Sequence, residues 1–207
     1  MIVVHHLNNS RSQRILWLLE ELETPYEIEF HQRDATTNFA PPELKAVHPL
    51  GKSPVITDHG QTIAESGAIV DYLIRKYGAG RLAPAAGSPD HEAYLEWLHY
   101  AEGSAMLPLM MQFYAMRFGV VSEPLKARID SELDNHLAYI NQALEGRPYL
   151  MGDLLTGADV QMSFVGEGAR AMGRLAKVPN IAAWVERLHA RPAFKKSLEN
   201  GGAYNMA

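Results

Sequence analysis

Residues 2–22 have the sequence IVVHHLNNSRSQRILWLLEEL, and residues 26–30 have the sequence YEIEF. The apolar run at 2–7 predicts a short strand. A helix is predicted next, because apolar residues recur at intervals of three and four (Ile15, Leu18, Leu19 and Leu22). Thr24-Pro25 ends this helix, and the alternation in YEIEF is typical of a second strand. This stretch therefore predicts a β-α-β unit.

A hairpin and a helix are predicted to complete the sheet. Pro54–Thr57 and Gln61–Ala64 are short strand-like runs joined by the turn sequence Asp58-His59-Gly60. A second helical row of apolar residues follows at Ile69, Val70, Leu73 and Tyr77. We therefore expect an α/β domain with a mixed four-stranded sheet and helices on its faces.

The rest of the chain is predicted to be helical. Residues 78–90 are rich in Gly, Pro and Ala and lack periodicity, which is typical of a linker. Beyond them, helical patterns cover 91–118, 124–145, 157–173 and 180–190. We predict a domain at 1–80, a linker at 81–90 and an all-helical bundle domain at 91–207. Pro108 predicts a kink near Ala105, because proline removes a backbone hydrogen bond inside a helix.

The composition narrows the possible chemistry. The net charge of −5 disfavours nucleic-acid binding. The absence of cysteine excludes disulfides, a Cys-rich metal site and a CxxC redox motif, so any thiol chemistry must use the thiol of a ligand. The nine histidines show no HxxxH or HxH spacing, and we predict no metal site. No apolar run reaches the ~18 residues of a membrane span and no signal segment is recognisable. We expect a cytoplasmic protein that does not bind membranes.

Two stretches carry the pattern of a capping box at a helix start. In Thr156-Gly-Ala-Asp159, Thr156 is predicted to cap a helix and Asp159 to bind back to the Thr156 N–H. Ser10-Arg-Ser-Gln13 has a similar pattern before the first helix. Ser10 is either a cap alone or a hydroxyl that stabilises a ligand thiolate at the positive end of the helix dipole. Capping arguments do not separate these two interpretations.

Two further stretches are typical of ligand contacts, although each also has an ordinary structural interpretation. Lys52-Ser53-Pro54 starts a strand, where proline is tolerated, and a cis bond there would turn the preceding backbone toward a ligand. Glu65-Ser66-Gly67 starts a helix, where N–H groups and a hydroxyl either form a simple cap or bind a carboxylate.

A row of methionine and aromatic residues lies on one predicted helix. Its members are Met106, Met110, Phe113 and Arg117, with Tyr114 beside them. Such a row is either core or the lining of a pocket for apolar ligands, because methionine adapts to varied apolar shapes.

Together these features resemble the glutathione transferase superfamily over nearly the whole chain. The resemblance rests on the order and spacing of five stretches: SRSQRILWLLEEL at 10–22, HPLGKSPVI at 48–56, AESGAIVDYL at 64–73, LTGAD at 155–159 and RPAF at 191–194. The first stretch and HPLG are most similar to bacterial and fungal members that have a serine near the first helix.

The resemblance implies a thioredoxin-like first domain that binds glutathione and a helical second domain that forms a pocket for a small apolar electrophile. Ser10 would hydrogen-bond the glutathione sulfur and favour the attacking thiolate, so glutathione is a co-substrate and no cofactor is expected. Lys52 would pair with the glycyl carboxylate, the Ser53 backbone would bind the cysteinyl residue, and Glu65 with Ser66 would hold the γ-glutamyl group. The implied pocket residues are Met110, Phe113, Tyr114 and Arg117.

Three departures from the family pattern leave alternatives open. His48-Pro49 stands where Asn-Pro is usual, and Ser53 stands where valine is common. Asn9 and Ser12 lie close to Ser10, so either could take its role. Besides conjugation, a glutathione-dependent disulfide reductase or peroxidase and a non-catalytic binding protein on the same fold remain alternatives. The resemblance also implies a homodimer.

Overall fold

The computed structural model describes residues 1–119 and 121–206. Its strands are β1 (Ile2–Leu7), β2 (Tyr26–His31), β3 (Val55–Asp58) and β4 (Gln61–Ala64). They form one sheet in the order β2-β1-β3-β4, in which β1 and β2 are parallel and the other neighbours are antiparallel. The predicted mixed four-stranded sheet is confirmed, and every strand lies within one residue of its predicted range.

The turn between β3 and β4 shows why the hairpin pattern was informative. His59 and Gly60 have φ values of 48° and 80°. Two consecutive residues with positive φ are what a two-residue hairpin turn requires, and glycine adopts this conformation without a steric penalty.

The helices follow the predicted order, with two additions. They are α1 (Gln13–Glu21), α2 (Leu44–Val47), α3 (Ser66–Tyr77), α4 (Pro89–Tyr100), α5 (Met106–Phe118), α6 (Glu123–Ala143), α7 (Gly157–Ala171), α8 (Pro179–Ala190) and α9 (Pro192–Gly201). The helical patterns did not include α2 and α9. A thioredoxin-like domain with a helical second part is therefore the observed fold class.

The chain divides into two units, and the division differs from the predicted domains at the C-terminal end. One unit contains Met1–Ala83 together with Leu188–Ala207, and the other contains Pro84–Arg187. The final segment joins the first unit because α9 packs on α1. Trp17 and Phe194 meet edge to face at 5.4 Å, and Gln13 Nε2 donates to Ser197 Oγ at 3.0 Å.

Within the second unit, Pro108 interrupts the regular helix as expected. A π-helical segment, Ala101–Ala105, separates α4 from α5 and lies where a kink was predicted. Pro108 has no N–H to donate to Ser104, four residues earlier, so the regular hydrogen-bond ladder cannot continue through this turn.

The predicted capping box at the start of α7 is confirmed. Thr156 is the N-cap residue, and its N–H donates to Asp159 Oδ2 at 3.0 Å. Across the described residues, we find no helix whose length and apolarity would let it cross a bilayer.

Candidate functional site

The sheet topology brings the predicted ligand residues of the first unit to one edge. β3 runs antiparallel to β1 and starts opposite its end, with Val55 paired to His5. β4 runs antiparallel to β3, and its last residue, Ala64, is paired with Val55. The segment after β1, the segment before β3 and the segment after β4 therefore meet at the same edge. These three segments carry Ser10, Lys52-Ser53 and Glu65-Ser66, respectively.

The start of α1 differs from the predicted cap at Ser10. The helix begins at Gln13, and Ser12 occupies the N-cap position without a side-chain bond to the helix. Ser10 lies in the preceding turn, and the Gln13 side chain binds Ser197 on α9 rather than reaching back. The expected capping box is wrong here. The Gln13 side chain bonds to Ser197 on α9, and the Ser10 hydroxyl accepts the Ser12 N–H within the turn.

The Ser12 hydroxyl is fully used by the fold. Its Oγ lies 3.2 Å from the Leu7 N–H, which donates to it, and 2.9 Å from His6 Nδ1. It also lies 3.2 Å from the Leu7 carbonyl oxygen and 2.8 Å from Ser10 Oγ. A hydroxyl makes at most one donated and two accepted bonds, so Ser12 has no capacity left for a ligand.

Ser10 is the serine that keeps capacity for a ligand. Its Oγ accepts the Ser12 N–H at 3.2 Å and pairs with the Ser12 hydroxyl. Ser10 is 5% exposed, whereas Ser12 is completely buried. Because a hydroxyl hydrogen rotates freely, Ser10 can redirect it from Ser12 toward an incoming acceptor.

The imidazole behind these serines brings no positive charge to the site. Burial lowers the pKa of His6 to about 4; a hydrogen bond to the Gly201 backbone opposes this shift and the nearby His31 adds to it. His6 is therefore neutral at pH 7. An imidazolium at this position therefore does not contribute to stabilising an anion near Ser10.

The turn that carries Ser10 is held by Arg33, a contact that the sequence did not reveal. The Arg33 backbone N–H donates to Asn8 Oδ1 at 3.0 Å, and its guanidinium donates to the Asn8 carbonyl at 3.1 Å and the Asn9 carbonyl at 3.4 Å. Asn9 Oδ1 also accepts the Asn205 N–H at 2.8 Å. These partners lie 24 or more residues away along the chain, and no local pattern signals them.

The start of α3 combines backbone strain with a buried cation. Glu65 has φ 67° and ψ 117°, a conformation that costs a non-glycine residue about 1–3 kcal/mol and is frequent at ligand sites. Arg14 Nη2 donates to Ser66 Oγ at 2.8 Å, and both residues are buried. Arg14 lies one helical turn before Leu18, in line with the apolar row of α1. A charged residue on this buried face was the sequence signal that could have indicated its role.

The segment before β3 shows the expected backbone geometry. The Ser53–Pro54 bond is cis. Ser53 Oγ donates to the His5 carbonyl at 2.9 Å and so ties this segment to β1. Lys52 is exposed and forms no ion pair with the residues that the structure describes.

The predicted pocket residues lie on α5 of the second unit and differ in burial. Met106 is buried and Met110 is half-buried, whereas Phe113, Tyr114 and Arg117 are exposed. A purely core role therefore fits only the first part of the row. The binding role of the exposed part stays a prediction.

A group that could bind a metal ion also occurs in the first unit. His5, Glu29 and His31 place one donor atom each within 4.8 Å of one another. The histidine spacings in the sequence predicted no metal site, because they do not show which residues face each other across two strands.

Comparison with known families covers both parts of the chain. Residues 1–75 match the family "Glutathione S-transferase, N-terminal domain", and residues 108–201 match "Glutathione S-transferase, C-terminal domain". Glutathione S-transferase 3 of Schizosaccharomyces pombe is 36% identical over 215 residues, covering 96% of this chain and 87% of the relative.

Solved structures agree with these family matches. A glutathione S-transferase from Actinobacillus pleuropneumoniae is 31% identical with a TM-score of 0.91, covering 100% of this chain and 95% of that one. A sphingomonad glutathione S-transferase complexed with glutathione is 25% identical with a TM-score of 0.78, covering 97% of this chain and 98% of that one. The chain therefore belongs to the glutathione S-transferase family and is a transferase.

Proposed function

We propose that the chain binds glutathione at the edge of the sheet and uses the Ser10 hydroxyl to stabilise its thiolate for attack on an apolar electrophile. The observation that carries this proposal is the division of labour between the two serines. Ser12 is saturated by the fold, while Ser10 accepts one N–H and has a hydroxyl hydrogen that it can redirect.

The energy required is within reach of this arrangement. Lowering a thiol pKa by two units corresponds to about 2.7 kcal/mol. A hydroxyl bond to a charged group contributes about 1.5–3 kcal/mol, and the positive end of a helix about 0.3–1 kcal/mol. Ser10 at the start of α1 offers both. His6 is neutral and contributes no positive charge to this stabilisation.

The charges at this edge suit the two ends of the glutathione tripeptide. The buried Arg14 guanidinium beside Ser66 lies at the N-terminus of α3, where backbone N–H groups are unpaired within the helix and attract a carboxylate. We assign the γ-glutamyl carboxylate to Ser66 and its ammonium to Glu65. Lys52, which is exposed, is assigned to the glycyl carboxylate, and the Ser53 backbone to the cysteinyl residue.

The second substrate is assigned to α5. Phe113 and Tyr114 expose apolar surface, with ring centroids 5.7 Å apart, and Met110 lies one turn earlier. An exposed aromatic pair next to an adaptable methionine suits small apolar molecules of varied shape. Arg117 would add a positive charge at the end of this surface.

We also propose that the protein is a homodimer. Leu107 on α5 is 61% exposed, and in such a dimer the partner would cover it. Sedimentation should give a species of twice the 23.0 kDa chain mass, and a monomer at micromolar concentration would contradict this assignment. The cytoplasmic location stays a prediction.

The decisive experiment titrates the thiol of bound glutathione by its ultraviolet absorbance in wild type, Ser10→Ala and a control, Ser122→Ala. Ser122 is the exposed N-cap residue of α6 and lies far from Ser10 in sequence. We expect Ser10→Ala to bind glutathione with a thiol pKa about one to two units higher and a matching fall in kcat at neutral pH.

Ser122→Ala should leave the thiol pKa unchanged. An unchanged thiol pKa in Ser10→Ala would refute the assigned role. Measuring turnover with aryl halides, epoxides, peroxides and small disulfides would then separate conjugation from reduction, because a purely reductive profile contradicts the proposed conjugation.

A further inference from the structure

The two parallel strands β1 and β2 place two imidazoles and a carboxylate on one face of the sheet. His5 is paired with Glu29, and His31 lies two residues farther along β2, opposite Leu7. Because side chains alternate along a strand, Glu29 and His31 point to the same face, and His5 joins them as the cross-strand neighbour. The alternation sends His6 to the opposite face, where it binds Ser12.

The distances within this group are close to the spacing of ligands around a tetrahedral cation, with Glu29 presenting one carboxylate oxygen to each histidine. His5 Nδ1 lies 3.2 Å from Glu29 Oε2, His31 Nε2 lies 3.6 Å from Glu29 Oε1, and the two ring nitrogens are 3.5 Å apart. Two of these three exceed the usual hydrogen-bond range of about 2.7–3.2 Å. Ligand atoms at about 2.0–2.1 Å from a tetrahedral Zn²⁺ are about 3.3–3.4 Å apart.

The surroundings of His5 match those of a metal-binding histidine. Its other ring nitrogen, Nε2, lies 3.2 Å from Thr57 Oγ1 on β3. A hydrogen bond at the remote nitrogen orients the ring and leaves the near nitrogen available as a ligand, as is usual around bound metals. Thr57 would therefore be a positioning residue for Nδ1 of His5.

Access and charge also fit a bound divalent cation. The side chains of His5 and His31 are 7% exposed, whereas that of Glu29 is 54% exposed. A cation could thus enter beside Glu29 and keep a water molecule as its fourth ligand. Two imidazole nitrogens and one carboxylate are donors that Zn²⁺ accepts, while Mg²⁺ and Ca²⁺ prefer oxygen ligands alone.

We propose that His5, Glu29 and His31 form a binding site for a Zn²⁺-class divalent transition metal ion. The site is independent of the proposed thiol chemistry, because it uses neither Ser10 nor the glutathione-binding residues. Its ligands join β1 to β2, so the bound ion should also stabilise the pairing of these two strands.

The test is a calorimetric titration of the metal-free full-length chain with Zn²⁺, repeated with Co²⁺ and followed by visible absorbance, which reports tetrahedral geometry. We expect one saturable site. Glu29→Gln and His31→Gln should each weaken binding at least tenfold, and Thr57→Val should weaken it about tenfold through loss of the second-sphere bond.

Two matched controls separate this site from binding to other surface groups. Glu27→Gln changes an exposed carboxylate two residues away on the same strand, and His99→Gln changes an exposed histidine on α4. Both should bind Zn²⁺ like wild type. Absent binding in wild type, or equal affinity in all five variants, would overturn the proposal and leave a hydrogen-bonded cluster. If His31→Gln does not fold, the exposed Glu29→Gln variant decides.

Discussion

The starts of α7 and α1 differ in what their side chains bind. A capping box holds the start of α7, whereas the N-cap residue of α1 makes no side-chain bond to its helix. At α7, the Asp159 carboxylate is completely buried and accepts the N–H groups of Thr156 at 3.0 Å and Leu150 at 2.9 Å. It also accepts the indole N–H of Trp184 at 3.0 Å and the Thr156 hydroxyl at 3.2 Å. At α1, Ser12 binds the end of β1 instead, and Ser10 keeps a hydroxyl beside the helix start.

This difference separates a structural helix start from one that can serve a ligand. A carboxylate that accepts four hydrogen bonds has no acceptor site left for a ligand, and it fixes the chain before α7. A serine pair shares the task, so that one hydroxyl holds the fold and the other remains adjustable. The comparison predicts that substitutions of Asp159 and Ser12 act on stability, whereas substitution of Ser10 acts on the ligand.

The largest effect is expected at α7. Asp159→Ala removes the partner of three N–H groups and one hydroxyl, and each unsatisfied buried donor costs about 1–3 kcal/mol. We expect the free energy of unfolding to fall by about 3–5 kcal/mol in urea denaturation. Asp153→Ala, at an exposed position nearby, should stay within about 0.5 kcal/mol of wild type. A small loss in Asp159→Ala would mean that the two helix starts are equivalent.

A smaller loss of stability is expected at Ser12. Ser12→Ala leaves the Leu7 N–H without its hydroxyl partner in a buried position, which corresponds to about 1–3 kcal/mol. Ser10→Ala is the matched variant and should lose less, because Ser10 does not cap the helix. Equal losses measured by thermal or chemical denaturation would contradict the division of labour between the serines.

Substitution of Lys52 tests the proposed contact with the glycyl carboxylate of glutathione. Lys52→Ala should weaken glutathione binding by about 1–2 kcal/mol, because an exposed charge-assisted contact is lost. Calorimetry is the measurement, and unfolding should be unchanged. Lys195→Ala, an exposed lysine on α9, is the control and should bind glutathione like wild type. Unchanged affinity in Lys52→Ala would place the glycyl end elsewhere.

The last comparison concerns two buried carboxylates, Asp58 in the first unit and Asp159 in the second, and its readout is the loss of stability in acid. Burial disfavours the charged form of Asp58, but hydrogen bonds from Lys76, Tyr77 and Tyr72 outweigh it and lower the pKa of Asp58 to about 2. Burial instead raises the pKa of Asp159, whose partners are uncharged. The contribution of Asp58 is therefore complete above its ordinary pKa of 3.8 and is lost as the pH falls through about 2.

Asp58→Asn should accordingly show a flatter decline of stability between pH 4 and pH 2 than wild type, measured by denaturation at each pH. Asp71→Asn is the control, since the Asp71 pair with Arg75 is an exposed helical ion pair. A wild-type decline that persists unchanged in Asp58→Asn would assign the acid sensitivity to other groups.

The element order of both units was predictable from local patterns. Strand alternation, the Asp58-His59-Gly60 turn and the helical rows of apolar residues depend on neighbours within a few positions, which the sequence displays directly. The Thr156–Asp159 box belongs to the same class, because its two partners are three residues apart. The short α2 lacks enough turns to show a period, and it was not predicted.

The sequence alone determined the strands, most of the helices and the cap of α7, and it predicted which residues would contact glutathione. Only the tertiary structure decided that Gln13 binds Ser197, that Arg14 reaches Ser66 and that Arg33 holds the turn before Ser10. It also brought His5, Glu29 and His31 together through the register of two parallel strands. Contacts across 24 or more residues depend on chain topology and burial, and a local sequence pattern carries no information about either.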